Sequence, residues 1–212
     1  MLIFAGLGNP GGKHALNRHN LGFMAVDAIA ERFNFAQERA RFLGVTRQGV
    51  IETADGPVNV TILKPETYMN ESGRSVAETM RFFKLTPADV IVFHDEIDLA
   101  PGRFRMKTGG GAAGNNGVRS VAEWIGPDFR RARMGVGHPG DKDRVMTHVL
   151  SNFSKEELEW VGALTDACAA AAPLLANGED ERYQAEVLRL APADKADPRQ
   201  PGKDGAAGTG AS

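Results

Sequence analysis

Residues 2–11 run Leu-Ile-Phe-Ala-Gly-Leu-Gly-Asn-Pro-Gly, and residues 17–20, Asn-Arg-His-Asn, follow shortly after them. The apolar start is typical of a buried strand, and the glycines after it favour a turn. A helix is predicted from about Asn20. Its apolar residues recur at helical spacing: Leu21, Met24, Ala25, Ala28, Ile29 and Phe33. A strand, a glycine turn, a polar cluster and a helix in this order predict an α/β fold with polar residues beyond the strand's carboxyl end.

The rest of the chain repeats this alternation of strand and helix patterns. Further strands are predicted over 58–63, 90–93 and 132–136. Further helices are predicted after Ser72, over 118–125, and from Ser154 to Leu175. Ser154 and Glu157 have the spacing of a capping box, and Cys168 falls on the apolar stripe of the last helix. We therefore expect a single α/β domain, one sheet flanked by helices, with Cys168 in its core.

The composition excludes several classes of protein. With 212 residues, of which 42% are hydrophobic, the chain is long enough for one core. No segment approaches the roughly 20 apolar residues of a membrane span, and a single cysteine cannot form an internal disulfide. Residues 191–212 contain 13 Ala, Gly or Pro among 22 and are predicted to be a disordered tail after a catalytic domain over 1–190. We expect a cytoplasmic protein.

The charges are unevenly distributed along the chain. The net charge is −2, yet residues 101–144 carry nine Lys or Arg against four Asp or Glu. Such a basic segment suits an anionic partner, because phosphate binding depends on where cations cluster. A solvated basic face is the alternative.

His19 and Asp95 are the candidate acid–base pair. His19 precedes a predicted helix N-terminus, whose partial positive charge favours a neutral imidazole near pH 7. The strand over 90–93 continues into His94-Asp95-Glu96-Ile97-Asp98, and alternation places Asp95 on the face opposite to His94. A carboxylate there can hold an imidazole in one tautomer and stabilise its cation. A capping role for His19 and turn roles for Asp95 and Asp98 are the alternatives, and the turn is favoured for Asp98.

Three asparagines stand at predicted strand-to-helix junctions: Asn9, Asn70 and Asn116. Their amides could donate hydrogen bonds into a site, or they could cap the helices after them. Ser72 is a second candidate cap for the helix after Asn70.

Other chemistries are less consistent with the residues. Gly6 to Gly11 fit the spacing of a dinucleotide fingerprint, but Pro10 and the polar loop delay the helix. Ser72 could complete a nucleophilic triad, but it lacks the G-x-S-x-G elbow. The histidines available to a metal, among them His138 and His148, form no H-x-x-x-H pair, and these two are predicted to be turn and structural residues.

Five stretches of the chain, in this order and at these spacings, resemble the signature stretches of bacterial peptidyl-tRNA hydrolases over about residues 1–190. They are GLGNPG (6–11) with RHN (18–20), KPETYMNESG (64–73), FHDEIDL (93–99), GGGAAGNNG (109–117) and VGHPGDK (136–142). The resemblance implies a single α/β domain with a twisted mixed sheet. It also implies cleavage of the ester between a peptide and the terminal ribose of tRNA, by a monomer without metal, cofactor or membrane partner.

The resemblance also implies roles for particular residues. His19 matches the family's catalytic histidine, and Asp95 matches the aspartate that orients it. Residues at substrate-binding positions are Asn9, His14, Met69, Asn70 and Asn116. Lys107 and Arg133 match basic residues that grip tRNA phosphate.

Four positions depart from the family's usual residues. Tyrosine is usual at His14, threonine at Asn17, phenylalanine at Tyr68 and histidine at Asn115. The leading hypothesis is a metal-independent esterase in which His19 activates water. The alternative is an RNA-binding module of the same fold that does not hydrolyse its ligand.

Overall fold

The computed structural model describes residues 1–193, which form a seven-stranded mixed sheet between two layers of helices. The strands are β1 Leu2–Gly6, β2 Arg39–Arg41, β3 Gly44–Thr53, β4 Gly56–Pro65, β5 Val90–Glu96, β6 Phe104–Thr108 and β7 Arg130–Gly135. The helices are α1 Leu21–Arg32, α2 Ser72–Phe82, α3 Asn116–Ile125, α4 Val145–Val149, α5 Glu157–Ala170, α6 Ala172–Ala176 and α7 Asp180–Leu190. The predicted α/β domain is confirmed.

The strand order is β2-β3-β4-β1-β5-β7-β6. The four central strands, β4, β1, β5 and β7, run parallel, while β2, β3 and β6 add antiparallel edges. Because the carboxyl ends of parallel strands meet at one edge of a sheet, the segments after β1, β4 and β5 are brought together there.

Two apolar clusters cover the two faces of the sheet. One cluster joins α1, α5 and α7 to residues such as Phe4 and Phe93, and the other joins α2 and α3 to residues such as Ala5 and Val92. Alternate residues of β1 and β5 therefore face opposite layers, as the strand period requires. Cys168 is fully buried in the first cluster, as predicted.

Local signals explain several helix boundaries. Ser154 and Glu157 form the predicted capping box, with each backbone N–H donating to the other side chain. The predicted helix from Ser154 to Leu175 is interrupted at Ala171, because Pro173 has no N–H to donate within a continuing helix.

The apolar core extends one residue beyond the predicted end of the domain at residue 190. Ala191 is buried and belongs to the first apolar cluster. The rest of the predicted tail, from residue 194, lies outside the described residues.

None of the helices in residues 1–193 is long and apolar enough to cross a membrane.

Candidate active site

His19 lies in a short 3₁₀ turn, Arg18–Asn20, that leads directly into α1. The first turn of α1 lies very close to the ends of β1 and β5. A Cβ atom on Gly22 would lie 2.2 Å from the carbonyl oxygen of Phe93 and 2.5 Å from the backbone nitrogen of Leu7. Only glycine fits this approach, which places the His19 turn beside the end of β5.

Arg18 fixes this turn to a distant part of the chain. Its guanidinium donates to Ser151 Oγ at 2.7 Å and to Glu157 Oε2 at 2.5 Å, and it lies over the ring of Phe153. Charge-assisted, partly buried bonds of this kind hold a backbone segment more firmly than neutral ones.

Asn20 fixes the same turn to the loop after β1. Its Oδ1 accepts from the backbone N–H of Asn9, and its Nδ2 donates to the carbonyl of Asn9, both at 2.9 Å. The side chain of Asn9 makes no hydrogen bond among the described residues and lines a pocket with Asn20, Phe23 and Lys64. The sequence reasoning missed the anchoring roles of Arg18 and Asn20.

The predicted pair of His19 and Asp95 is brought together by the fold. Nδ1 of His19 lies 2.8 Å from Oδ1 of Asp95, and the two residues are 7% and 3% exposed. The carboxylate accepts a hydrogen bond from the Nδ1–H group, so Nε2 is left as the nitrogen that can accept a proton. Nε2 makes no hydrogen bond within the described part of the chain, and His19 borders a pocket.

The pKa of His19 is set mainly by its surroundings in the fold. Burial lowers the pKa of His19, but the charge of Asp95 and its hydrogen bond outweigh burial, so the pKa lies above its ordinary value of 6.5. The pKa of Asp95 is lowered, because its interaction with His19 outweighs its own burial. The helix terminus therefore does not set the pKa of His19; the buried carboxylate does.

Asn115 contacts Asp95 from the opposite side. Its Nδ2 donates to Oδ1 of Asp95 at 3.1 Å, while its Oδ1 accepts from the backbone N–H groups of Gly117 and Val118. Asn115 is therefore the N-cap of α3, whereas Asn116 is the first helical residue. Among the three junction asparagines considered in the sequence, none caps its helix through its side chain.

The pocket beside His19 combines these polar groups with an apolar wall. Its lining comprises His19, Asp95, Glu96, Ile97, Ala113, Gly114, Asn115, Asn116, Val145, Met146 and Val149. The 3₁₀ turn Met69–Glu71 lies against the start of α3, since a Cβ on Gly117 would lie 2.5 Å from Sδ of Met69. Asn70 is exposed on that turn. The fold thus gathers the strand-end segments at one edge of the sheet.

Comparisons with known proteins agree with this arrangement. A family model described as peptidyl-tRNA hydrolase matches residues 3–195. The chain belongs to the peptidyl-tRNA hydrolase family. Curated peptidyl-tRNA hydrolases from Phenylobacterium zucineum and Caulobacter vibrioides are 68% and 64% identical to it, over 94% and 96% of this chain and 96% and 100% of their own lengths.

Solved structures of the family share the fold. The crystal structure of peptidyl-tRNA hydrolase from Acinetobacter baumannii has a TM-score of 0.83 and 37% identity, covering 91% of this chain and 97% of that chain. A peptidyl-tRNA hydrolase in complex with N-propanol gives a TM-score of 0.84 at 38% identity, with the same coverage.

Two departures from the family's usual residues lie next to each other. The ring of His14 is bonded through Nδ1 to Oδ1 of Asn17 at 2.7 Å, and Nδ2 of Asn17 donates to Oδ1 of Asn152 at 2.7 Å. Because Asn17 uses its amino group for Asn152, its Oδ1 faces His14, which therefore carries a proton on Nδ1. A substrate contact for His14 stays a prediction.

Lys107 and Arg133 lie on the neighbouring strands β6 and β7. Lys107 is exposed, whereas Arg133 is half-buried and donates through Nε to Oε2 of Glu96 at 3.0 Å. Arg131, opposite Lys107 in the strand register, donates to the carbonyls of the glycine loop at Gly110 and Gly111. A phosphate-binding role of Lys107 and Arg133 stays a prediction, and Arg133 would have to share its guanidinium with Glu96.

Ser72 is not a cap. It is fully buried and donates from Oγ to the carbonyl of Met69 at 2.8 Å, so it closes the preceding turn instead of accepting from the helix N-terminus. The prediction of a capping serine is therefore wrong.

The remaining histidines have structural contacts. Nδ1 of His94 is bonded to the carbonyl of Asp95, Nδ1 of His138 accepts from Gly140, and Nε2 of His148 is bonded to the carbonyl of Val136. In residues 1–193, no group of three or more His, Cys, Asp or Glu side chains could hold a metal ion.

Asp98 lies in the turn that the sequence predicted after the strand with Asp95.

Proposed function

We propose that this chain hydrolyses the ester between peptide and tRNA with His19 as general base. The observation that carries this proposal is the bond between His19 and Asp95 beside a pocket, with Nε2 of the ring making no bond to residues 1–193. This is the geometry that proton transfer to and from a reacting group requires.

Each proton and bond has a place in the mechanism. Nε2 of His19 takes a proton from a water molecule as the water oxygen attacks the ester carbonyl carbon. Asp95 stabilises the resulting imidazolium. When the bond from carbon to the ribose oxygen breaks, His19 returns the proton to that oxygen, so the products are a peptide with a free carboxyl end and a tRNA.

Amide groups complete the site in this proposal. Asn9 and Asn70 have side chains that make no hydrogen bond with the described residues, and Asn116 accepts only from the exposed Arg119. They are therefore available to donate to the peptide and to the oxyanion that forms on the carbonyl. The apolar Met69 lies beside Asn70 and would border the peptide.

Direct attack by water agrees better with the geometry than attack by Ser72. The hydroxyl of Ser72 is buried and donates its hydrogen bond to the carbonyl of Met69.

The proposal also concerns the protein as a whole. It includes a cytoplasmic monomer that uses no metal or cofactor, with residues 1–190 as its catalytic part.

The decisive experiment separates hydrolysis from binding alone. The full chain is incubated with labelled peptidyl-tRNA, and both release of peptide and retention of tRNA are measured. Multiple turnovers support the esterase. Tight binding of tRNA without release would support the alternative of an RNA-binding module.

The substitution Asp95→Asn is expected to lower the maximal kcat/KM and to move its acid limb to lower pH. His19 must be neutral to accept a proton, so the rate falls as the pH drops through its pKa, which Asp95 holds above 6.5. Removing the negative charge leaves burial as the dominant influence, and burial lowers the pKa of His19. If the acid limbs of the parent and Asp95→Asn profiles lie at the same pH, Asp95 does not raise the pKa of His19, and the prediction is wrong.

The pair Lys107→Ala and Arg133→Ala is expected to flatten the salt dependence of tRNA binding. Each phosphate contact that is lost should reduce the slope of log K against log salt by about 0.7 to 0.9. Cleavage of a short peptidyl-nucleotide ester should persist, since neither residue lines the pocket at His19.

The control for this experiment is Arg189→Ala. Arg189 is exposed on α7 and pairs with Glu186, so its loss changes the net charge without touching β6 or β7. An unchanged slope in the double variant, or equal losses on full tRNA and on the short ester, would refute the phosphate contacts.

A further inference from the structure

We propose that Asn115 is a positioning residue that holds the Asp95 carboxylate against His19 and ties it to the N-terminus of α3. This inference rests on the proposed function, because it concerns the same acid–base pair. It assigns a role to a position at which this chain departs from the usual histidine of the family.

The orientation of the Asn115 amide is fixed by its two ends. Oδ1 accepts from the backbone N–H groups of Gly117 at 3.0 Å and Val118 at 3.1 Å, which only an oxygen can do. The amino group must therefore face Asp95, where it lies 3.1 Å from Oδ1 and 3.2 Å from the backbone carbonyl oxygen.

Asp95 is consequently held from two sides. Its Oδ1 accepts from His19 Nδ1 at 2.8 Å and from Asn115 Nδ2 at 3.1 Å. One donor belongs to the turn before α1, and the other belongs to the cap of α3. Rotation of the carboxylate would break both bonds, so the two donors together fix the direction in which His19 presents Nε2.

The chemical type of residue 115 determines how the pair responds to pH. An asparagine amide donates at every pH, whereas a histidine would add a second titrating group beside Asp95. His94, whose charge acts on Asp95, and Glu96 flank it on β5. On β7, the charge of Arg131 acts on His94, and Arg133 lies opposite His94 in the strand register. His94 has a lowered pKa because it is buried, and Glu96 is paired with Arg133.

Two substitutions separate positioning from capping. Asn115→Ser keeps an oxygen that can cap α3 but is too short to reach Asp95. Asn115→Asp also keeps the cap, and it places an acceptor where Asp95 needs a donor. Thr86→Ala is the matched control, because it removes the hydroxyl that donates to Oδ2 of Asp89 in the capping box of the turn before β5, at the amino end of that strand.

We expect Asn115→Ser to keep the parent's Tm within a few degrees while kcat falls by about 10-fold or more and KM stays near the parent value. The acid limb of its kcat/KM profile should move to higher pH, because Asp95 loses a competing donor and stabilises the imidazolium of His19 more strongly. Asn115→Asp should shift the limb further in the same direction, since it adds negative charge. Thr86→Ala should lower Tm and leave kcat unchanged.

A parent-like kcat and pH profile in Asn115→Ser would overturn the positioning role, and so would a loss of kcat in Thr86→Ala as large as that in Asn115→Ser. Failure of the proposed function itself would give a different experimental result. In that case the parent chain and its His19 variants would release peptide from peptidyl-tRNA at the same rate, whatever residue 115 is.

Discussion

The substitution His19→Ala is expected to reduce hydrolysis of peptidyl-tRNA by about 10²- to 10⁴-fold, with tRNA affinity near that of the parent. His19 supplies the only proton transfer in the proposed mechanism, and its Nε2 has no hydrogen-bond partner among the described residues. Binding depends on other groups, so substrate should still bind. Single-turnover cleavage and equilibrium tRNA binding measure the two effects separately.

A second variant distinguishes lost chemistry from lost structure. Removing the His19 ring leaves Asp95, which is 3% exposed, with one donor fewer, and that costs stability. His19→Asn can place an amide hydrogen near the position of Nδ1, so it can preserve the bond to Asp95 while it supplies no base. We expect both variants to lose cleavage and the asparagine variant to keep more of the parent's Tm.

His138→Ala serves as the control for this pair. His138 is exposed in the segment after β7, where its Nδ1 accepts from Gly140, and its loss should leave cleavage near the parent rate. Parent-like cleavage in His19→Asn would show that the ring is not the base.

Local patterns in the sequence are enough to predict most of the central sheet and its helices. The strands β1 and β5 are apolar runs, β4 and β7 contain alternating apolar residues, and α1, α2 and α3 have clear helical stripes, so each can be recognised without knowledge of the fold. The contact between His19 and Asp95 could be predicted because parallel strands gather their carboxyl ends, whereas Asn9 lines a different pocket from the one at His19. Elements with weak patterns could not be found in this way. All three residues of β2 are exposed, and α7 buries only Tyr183 and Val187 among its residues.

Interactions between distant segments account for the features that local patterns miss. Arg18 is 139 positions from Glu157, so no local pattern reveals that it anchors the His19 turn. The effect of Asp95 on the pKa of His19 could not be found from local sequence for the same reason. The helix N-terminus is local, but the buried Asp95, 76 positions away, has the stronger effect.

Gly22→Ala is expected to destabilise the fold by about 3 kcal/mol or more, at the upper end of overpacking costs. The added methyl group would lie 2.2 Å from the Phe93 carbonyl oxygen and 2.5 Å from the Leu7 backbone nitrogen. These two atoms form the hydrogen bond that joins the chain after β1 to β5. No flexible side chain can move aside, so α1 must shift away from the sheet.

Gly162→Ala is the control that separates overpacking at Gly22 from the general effect of replacing a glycine with alanine. Gly162 lies within α5, and a Cβ there would meet no atom within 4 Å. The same substitution should stabilise α5 by about 0.5 to 1 kcal/mol, because alanine loses less backbone entropy than glycine. Thermal unfolding should therefore show shifts of opposite sign, with a fall of about 6 to 12 °C for Gly22→Ala. Because His19 stands three positions before Gly22, the folded fraction of that variant should also cleave more slowly. A parent-like Tm in Gly22→Ala would mean that the approach of α1 to β1 and β5 is not what places His19 on Asp95.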